Sequence, residues 1–273
     1  MSGANGRWLI ALDLDGTLFG DDLVIAPRVR RAIAAAQAAG HLVTLATGRS
    51  FATTQPIAAD LGLSDPLITY QGAVVRTPGE IIWQRTLTLE VARRALHFSE
   101  ARALPTHVYL PEGVFAARRT PETSVYEAMH PGVRIQFVGS LSAFLTVGPI
   151  KLLLILDPAR TDAVLRELTS HLGSSAAVVR SHSLFVEVTH PTVSKGQALL
   201  ALAARAGIPR QRTLGIGDNH NDLPLIAAAG VGVAMGNAIA TLKALADWVA
   251  PSVQEDGAAV AIERFILGSL DCS

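Results

Sequence analysis

Short apolar runs alternate with stretches of helical periodicity in the first part of the chain. The pattern predicts strands over residues 8–14, 42–46 and 67–70, and helices over residues 27–39 and 51–61. Strands that alternate with helices favour a parallel sheet covered by helices on both faces. The N-terminal part is therefore predicted to be an α/β domain.

The rhythm changes after residue 70. Residues 73–76 and 81–84 flank Thr77, Pro78 and Gly79, which predicts a β-hairpin. From about residue 86 to residue 188, helical stretches (89–102, 162–172) mix with strands (107–110, 151–156, 184–188). This mixture predicts an α+β insertion.

The strand and helix alternation returns after Pro191. It predicts helices over residues 194–206, 223–229 and 238–246, strands over 213–216 and 232–234, and a last helix from Gly257. We therefore expect a core domain built from residues 1–84 and 190–273, with residues 85–189 as an inserted domain. Linkers are expected near Arg85 and Thr189.

Composition narrows the classes of protein that fit this pattern. The chain has 273 residues, 49% of them hydrophobic, which is enough to bury large cores. Lys plus Arg and Asp plus Glu both number 23, so the basic excess of proteins that bind nucleic acid or anionic lipid is absent. The only cysteine is Cys272, which excludes an intrachain disulfide. With no signal-peptide or membrane-spanning pattern, we expect a cytoplasmic protein.

The most informative polar segment is Asp13-Leu14-Asp15-Gly16-Thr17 at the end of the first apolar run. Two carboxylates two residues apart on a strand point the same way, and glycine permits a sharp turn behind them. An Asp-Gly pair alone is more often an ordinary turn. An aspartate in so apolar a run, however, is costly to bury unless it is paired or bound to a cation.

Two further segments follow a predicted strand or begin a predicted helix. Thr47-Gly48-Arg49-Ser50 offers a hydroxyl and a glycine-exposed N–H at a helix N-terminus, which suits a phosphate, although Ser50 is also an ordinary N-cap. Lys195 begins another helix, where a cation is mildly unfavourable. A nearby anion would explain its position.

The segment 217–222, Gly-Asp-Asn-His-Asn-Asp, follows the strand predicted over residues 213–216. Carboxylate and amide oxygens suit a hard cation such as Mg²⁺, which takes one or two protein carboxylates plus water and substrate phosphate. The alternative is a polar turn that caps the next helix. His220 is not expected to be a ligand, because hard-cation sites seldom use imidazole.

Together these segments resemble the haloacid dehalogenase (HAD) superfamily of phosphatases, in its type IIB, Cof-like branch. The matching segments, in order, are ALDLDGTL at 11–18, ATGR at 46–49, SKG at 194–196, GD at 217–218 and ND at 221–222. VAMGNA at 233–238, AD at 246–247 and EDG at 255–257 are similar to the family's C-terminal part. The resemblance covers nearly the whole chain, and four motifs in register are far more specific than one.

The resemblance implies a Rossmann-like parallel-sheet core with an inserted α+β cap domain, and a Mg²⁺-dependent phosphatase. Asp13 would be the nucleophile that forms an aspartyl-phosphate, and Asp15 the general acid and base. Thr47 would bind the transferring phosphoryl group, and Lys195 would neutralise charge between that group and Asp13. The substrate would be a small phosphomonoester.

The resemblance also implies the metal and phosphate ligands. Mg²⁺ would be held by Asp13, the backbone carbonyl of Asp15 and Asp218, with Asp222 reaching it through water or steadying Asp218. The residues expected at the phosphate or the metal's water shell are Gly16, Thr17, Gly48, Arg49, Gln71 and Asn221. The chain departs from the family at Gln71, where asparagine is usual, and at Thr192, where glycine is common.

The inserted domain is expected to contribute specificity. Its polar or aromatic candidates for substrate contact are His107, Tyr109, Lys151, Arg180 and His182, although polar residues beside strands more often face solvent. The sequence leaves the substrate open among sugar phosphates, flavin or pyridoxal phosphates and nucleotides. A dedicated sugar-phosphate phosphatase, a phosphomutase and a non-catalytic binding domain remain alternatives.

Overall fold

The structure is a computed structural model that describes residues 6–20, 22–129 and 132–268. Cys272 lies outside the described residues. The chain divides into two compact units, which we call unit 1 (Met1–Gln84 and Ser194–Ser273) and unit 2 (Arg85–Val193). Among the described residues, no helix is long and apolar enough to cross a membrane.

Unit 1 contains a five-stranded sheet with the order β14-β13-β12-β1-β2, in which all neighbouring pairs are parallel. Its strands are β1 (Leu9–Leu12), β2 (Leu42–Leu45), β12 (Thr213–Gly217), β13 (Val231–Ala234) and β14 (Trp248–Val249). Its helices are α1 (Pro27–Ala38), α2 (Phe51–Asp60), α7 (Lys195–Arg205), α8 (Leu223–Ala228), α9 (Ala240–Leu245) and α10 (Gly257–Ile262). A π-helical turn, Glu263–Leu267, follows α10.

The parallel sheet is covered on both faces, as the apolar runs predict. Along β1, Ile10 and Leu12 join a cluster with α1 and α10, whereas Leu9 and Ala11 join a second cluster with α7 and α8. The alternation follows from the period of two residues in a strand. All four β1 side chains are fully buried.

Unit 1 also contains a small antiparallel sheet that corrects one sequence expectation. The segment 67–70 was expected to extend the parallel sheet, but β3 (Leu67–Thr69) pairs with β4 (Val74–Arg76), which pairs with β5 (Ile81–Gln84). The predicted hairpin is therefore present as β4 and β5. A single parallel bridge from Ala46 to Ile68 joins β3 to the end of β2.

Unit 2 is built on a six-stranded sheet with the order β10-β11-β9-β6-β7-β8, antiparallel except for the pair β7 and β8. Its strands are β6 (Thr106–Leu110), β7 (Gly113–Ala116), β8 (Ile135–Phe137), β9 (Lys151–Ile155), β10 (Ala177–His182) and β11 (Phe185–Thr189). Its helices are α3 (Leu89–Glu100), α4 (Pro121–Met129), α5 (Leu141–Phe144) and α6 (Pro158–Leu172).

The core of unit 2 lies between the sheet and the helices α3 and α6. Val108, Leu152, Leu154 and Val186 of the sheet pack with apolar residues of both helices. Helix α6 begins earlier than residue 162, where the periodicity placed its start, because Asp157 caps the backbone N–H of Ala159 at 2.8 Å. Polar or exposed elements such as β10 and α4 carry weak periodicity and were not predicted.

Candidate active site

The polar segments singled out in the sequence follow the C-terminal ends of parallel strands in unit 1. Asp13 follows β1, Thr47 lies two residues after β2, and Asp218 follows β12. The backbone N–H of Asp13 donates to the carbonyl oxygen of Ile216 at 3.0 Å, which continues the ladder between the central strands. In an open parallel sheet these strand ends meet at one edge, where ligands bind.

Gly16 makes the close approach of two loops possible. Its φ is +83°, in the left-handed region that favours glycine, and its N–H donates to the carbonyl of Phe19 at 2.9 Å. A Cβ at this position would overlap the carboxylate of Asp218. The next residue, Thr17, donates its hydroxyl to Oδ1 of Asp218 at 3.3 Å. The turn after Asp13 is thus packed directly against Asp218.

Lys195 is fully buried, unlike an ordinary surface lysine, and lies between two carboxylates. Its Nζ is 2.5 Å from Oδ1 of Asp13 and 2.6 Å from Oδ1 of Asp222. Burial acts to lower the pKa of Lys195, but the charges and hydrogen bonds of both aspartates outweigh it and raise that pKa above its usual value. Lys195 is therefore a fixed cation at Asp13.

Asp222 steadies the loop that carries Asp218. Its Oδ2 accepts hydrogen bonds from the backbone N–H groups of Asp218 at 3.0 Å and Asn219 at 3.1 Å. Its Oδ1 accepts from Lys195. Because both oxygens already have protein donors, the geometry favours a steadying role for Asp222 over direct coordination of a metal.

Three carboxylates gather at this edge. Asp13, Asp218 and Asp222 each offer an oxygen, and these atoms lie within 4.8 Å of one another. Burial, and then the charge of Asp222, raises the pKa of Asp13 well above its usual range despite Lys195. Burial, followed by the same neighbouring charge, raises the pKa of Asp218 to about 6. Such a cluster carries more negative charge than one lysine balances.

The donor set therefore fits a divalent cation. Carboxylate oxygens are hard ligands. Within the described part of the chain, the carboxylate of Asp13 accepts a hydrogen bond from Lys195 and that of Asp218 accepts one from Thr17, which leaves lone pairs on both carboxylates for a cation. A cation beside them would offset both the burial and the repulsion from Asp222 that raise their pKa values. The cluster can hold a metal ion.

The Thr47-Gly48-Arg49 loop is held by its own hydrogen bonds. The buried hydroxyl of Thr47 accepts from the N–H of Arg49 at 3.1 Å, and the carbonyl of Arg49 accepts from the N–H of Tyr70 at 2.9 Å. The side chain of Arg49 forms a fork on Asp15, with Nε to Oδ2 at 2.9 Å and Nη2 to Oδ1 at 2.5 Å. Asp15 is thus separated from the Asp13 cluster and paired with Arg49.

Gln71 lies at the edge of this loop in a left-handed conformation, with φ 60° and ψ 22°. Its Oε1 accepts a hydrogen bond from Nδ2 of Asn221 at 3.1 Å, and its amide lies where a Cβ of Gly48 would be. The longer amide, where the family usually has asparagine, therefore reaches the loops of Thr47 and Asp222. Gln71 joins the two segments expected to surround a phosphate.

Asn237 is a site-building residue that the sequence motifs did not identify as part of the site. Its Nδ2 donates to the carbonyl of Gly16 at 2.8 Å, and its Oδ1 accepts from the N–H of Val253 at 2.9 Å. The only sign of Asn237 in the sequence is its place in the segment 233–238, which is similar to the C-terminal part of the family. That segment carries no ionisable group that would single it out. Its contacts depend on long-range folding.

The five substrate-contact candidates of unit 2 differ in environment. His107, Tyr109 and Lys151 are buried, whereas Arg180 and His182 are exposed. Lys151 pairs with the buried Glu187 at 3.0 Å and lies over the ring of Tyr109, and Arg180 pairs with Asp162. Tyr109 and Tyr126 are joined by their hydroxyl groups. The first three candidates are therefore not on a solvated face of the sheet.

The chain belongs to the haloacid dehalogenase-like hydrolase family, whose model matches residues 10–262. YcsE of Bacillus subtilis (strain 168), named a 5-amino-6-(5-phospho-D-ribitylamino)uracil phosphatase, is 30% identical over 262 residues, or 95% of this chain and 96% of YcsE. The similarity therefore runs over nearly the whole length of both chains.

Solved structures agree with this assignment. A haloacid dehalogenase-like hydrolase from Bacteroides thetaiotaomicron, 29% identical, superposes with a TM-score of 0.85 over 95% of this chain and 100% of that one. The HAD subclass IIB sugar phosphatase BT4131 shares the fold at 23% identity, with a TM-score of 0.82 over 95% of this chain and 99% of its own. The predicted superfamily, its parallel-sheet core with an inserted cap domain, and the hydrolase class are confirmed.

Proposed function

We propose that this protein is a Mg²⁺-dependent phosphatase that hydrolyses small phosphorylated metabolites through an aspartyl-phosphate on Asp13. The observation that carries the proposal is the fully buried Lys195, bonded to both Asp13 and Asp222 beside Asp218. A carboxylate that attacks a phosphate dianion meets strong repulsion, so fixed positive charge is needed at the nucleophile. Lys195 supplies that charge in the protein itself.

In the first half of the reaction, an oxygen of Asp13 attacks phosphorus and the ester P–O bond breaks. The hydroxyl of Thr47 binds an oxygen of the transferring group, and Asp15 gives a proton to the leaving alcohol. Lys195 orients Asp13 and favours its ionised form against the effect of burial, since its ammonium group is 2.5 Å from Oδ1 of that residue. The products of this half-reaction are the free alcohol and a phosphorylated Asp13.

In the second half, water attacks the phosphorus of the aspartyl-phosphate and the P–O bond to Asp13 breaks. Asp15 takes a proton from that water, which restores the acid form for the next substrate. The side chains of Gln71 and Asn221 are hydrogen-bonded to each other, and the amide of Gln71 lies beside Gly48 of the proposed phosphate loop. The products are free phosphate and the regenerated carboxylate.

Mg²⁺ would be held by Asp13, the backbone carbonyl of Asp15 and Asp218, with Asp222 steadying the Asp218 loop. When bound, it would neutralise charge on the phosphoryl oxygens and on the clustered aspartates. Mg²⁺ fits better than a softer metal because these donors are oxygens.

The substrate class is proposed as small phosphomonoesters, sugar phosphates or related metabolites. YcsE is named for a phosphorylated ribitylaminouracil, so this compound belongs in the first panel tested. We also propose that unit 2 contributes the contacts that select among these substrates.

The test is phosphate release from a panel of phosphorylated metabolites by the full chain, with Mg²⁺ and with EDTA. We expect release with Mg²⁺ only, and none from Asp13→Asn. Asp60→Asn is the matched control, because Asp60 is an exposed aspartate of unit 1 paired with Arg30. Release by Asp13→Asn at the rate of the wild type would refute the assignment of the nucleophile.

A further inference from the structure

The fork of Arg49 on Asp15 conflicts with the role proposed for Asp15. Both oxygens of Asp15 accept hydrogen bonds from Arg49, at 2.9 Å and 2.5 Å. A guanidinium group has only donors, so a carboxylate in this fork is held as an acceptor and not as a proton donor to a substrate. In this structure Asp15, the proposed acid and base, is therefore held by Arg49 and is not available to a substrate.

Arg49 also lies where a phosphate would compete for it. It directly follows Gly48 in the loop proposed to bind the phosphoryl group, and its own N–H is fixed by the hydroxyl of Thr47 at 3.1 Å. Phosphate oxygens match the guanidinium fork as well as a carboxylate does and carry more negative charge. A phosphoryl group in the loop would thus offer Arg49 a second anion.

The surroundings of Arg49 permit the side chain to exchange one anion for another. Its backbone is anchored on both sides, by Thr47 and by Tyr70, so only side-chain torsions need to change. The guanidinium lies 5.3 Å from the ring centroid of Phe19, and its side chain is 28% exposed. An aromatic face attracts a guanidinium without fixing the direction of its fork.

We propose that Arg49 is a positioning residue that holds Asp15 until substrate arrives, and that the phosphoryl group draws Arg49 away and frees Asp15 for proton transfer. This inference rests on the proposed phosphatase function and deepens it. It couples the readiness of the acid and base to occupation of the phosphate loop. Water reaching the empty site then meets an Asp15 that is still held by Arg49.

The exchange predicts a specific coupling in phosphate binding. In the wild type, phosphate must compete with Asp15 for Arg49, so removing the charge of Asp15 strengthens binding through Arg49. Inorganic phosphate should bind Asp15→Asn about 2- to 5-fold more tightly than the wild type, the range expected for a partly exposed ion pair. Arg49→Gln should bind phosphate at least about tenfold more weakly, since it loses charge-assisted hydrogen bonds.

The test is a double-mutant cycle measured by titration calorimetry with inorganic phosphate and Mg²⁺, on the full chain. The four proteins are the wild type, Asp15→Asn, Arg49→Gln and the double variant. We expect the increase in phosphate affinity caused by Asp15→Asn to disappear in the Arg49→Gln background. An equal gain in both backgrounds would show simple charge repulsion between Asp15 and phosphate, and would overturn the proposal.

A matched control is available in unit 1. Arg28 forms the same kind of fork on Glu263, with Nε to Oε1 at 3.1 Å and Nη2 to Oε2 at 2.6 Å. Arg28→Gln and Glu263→Gln should leave phosphate affinity unchanged. If Arg49→Gln proves poorly folded by circular dichroism, Arg49→Met replaces it, because methionine also removes the charge and the donors while keeping a long side chain.

The outcome also separates this inference from the proposed function. If phosphate binds and the effects of the two substitutions on its affinity are additive, the exchange of Arg49 between Asp15 and phosphate is refuted. The phosphatase assignment would then still stand. A wild type that binds no phosphate in the presence of Mg²⁺ would contradict both. Unchanged phosphate affinity in Arg49→Gln would show that the fork is structural only.

Discussion

Lys195 is a buried cation of unit 1 that pairs with two carboxylates at once. It has no exposed surface, and two carboxylates lie within hydrogen-bond distance of its ammonium group. A buried ion pair is costly to form, but removing one partner is worse, because the other charges remain buried without compensation. Lys195 is therefore needed by the fold as well as by the proposed reaction.

Lys195→Met should lose phosphatase activity and lower the free energy of unfolding by about 3 to 5 kcal/mol, the usual cost of breaking a buried pair. Urea unfolding and phosphate release measure the two effects. Lys243→Met, in the last turn of α9, is the control and should change stability by no more than about 0.5 kcal/mol. A Lys195→Met protein that is as stable and active as the wild type would contradict the site.

Asp13, Asp15, Thr47 and Asp218 could be chosen from the sequence because each lies near the end of an apolar run, and parallel strands bring such ends together. The fork of Arg49 on Asp15 could not be predicted in the same way. Its partners are 34 residues apart, and nothing in local periodicity specifies which anion an arginine selects. Lys195 was recognisable by motif, whereas its complete burial was not.

At the scale of elements, the turn between β13 and α9 organises the edge of the sheet. The N–H of Ile239 donates to the carbonyl of Asp218 at 3.0 Å, and Asn237 joins Gly16 to Val253 through its amide. One turn therefore ties the loop after β1, the loop after β12 and the C-terminal segment together. Its sequence contains no charged group that would reveal this role.

Asn237→Ala should weaken Mg²⁺ activation several-fold, because the turn of Gly16 and the Asp218 loop lose their common anchor, and should cost about 1 to 2 kcal/mol of stability. The measurement is the Mg²⁺ dependence of phosphate release together with thermal unfolding. Gln37→Ala is the control. It removes the hydrogen bond from the side-chain amide of Gln37 to the carbonyl of Gly62 at 3.0 Å, and it should affect stability alone. Equal Mg²⁺ dependence in Asn237→Ala and the wild type would refute the anchoring role.

The periodicity of the sequence predicts whether a segment is a helix or a strand more reliably than it predicts which sheet a strand joins. The central parallel strands and their helices were predicted to within a few residues because each is buried and apolar on a regular period. The segment 67–70 looks like another buried strand, yet β3 joins β4 and β5 in a separate antiparallel sheet. Pairing partners are chosen by tertiary contacts, which a run of apolar residues does not encode.

At the scale of the whole molecule, the two units have separate hydrophobic clusters. Unit 1 contains two clusters on the faces of its parallel sheet, and unit 2 contains one between its sheet and helices. Charge is buried in unit 2 as well, where Lys151 and Glu187 pair at 3.0 Å. Each unit thus has its own sources of stability.

Scanning calorimetry should show two unfolding transitions that respond to different changes. Mg²⁺ should raise the transition of unit 1, because binding to the native state stabilises it. Lys151→Met should lower the transition of unit 2 by leaving Glu187 unpaired, and Lys151→Met with Glu187→Leu should recover most of the loss. A single transition that both changes shift equally would contradict separate stabilities.

The central claim, that Asp13 is the nucleophile and Asp15 the acid and base, is tested most directly by intact-protein mass spectrometry after acid quenching. The proteins are the wild type, Asp13→Asn and Asp15→Asn, each mixed with p-nitrophenyl phosphate and Mg²⁺. Asp15→Asn should accumulate one phosphate that hydroxylamine removes, because loss of the base slows hydrolysis of the intermediate by about 10² to 10⁴-fold. Asp13→Asn should acquire none. Phosphate attached to Asp13→Asn, or to another residue of the wild type, would contradict the mechanism.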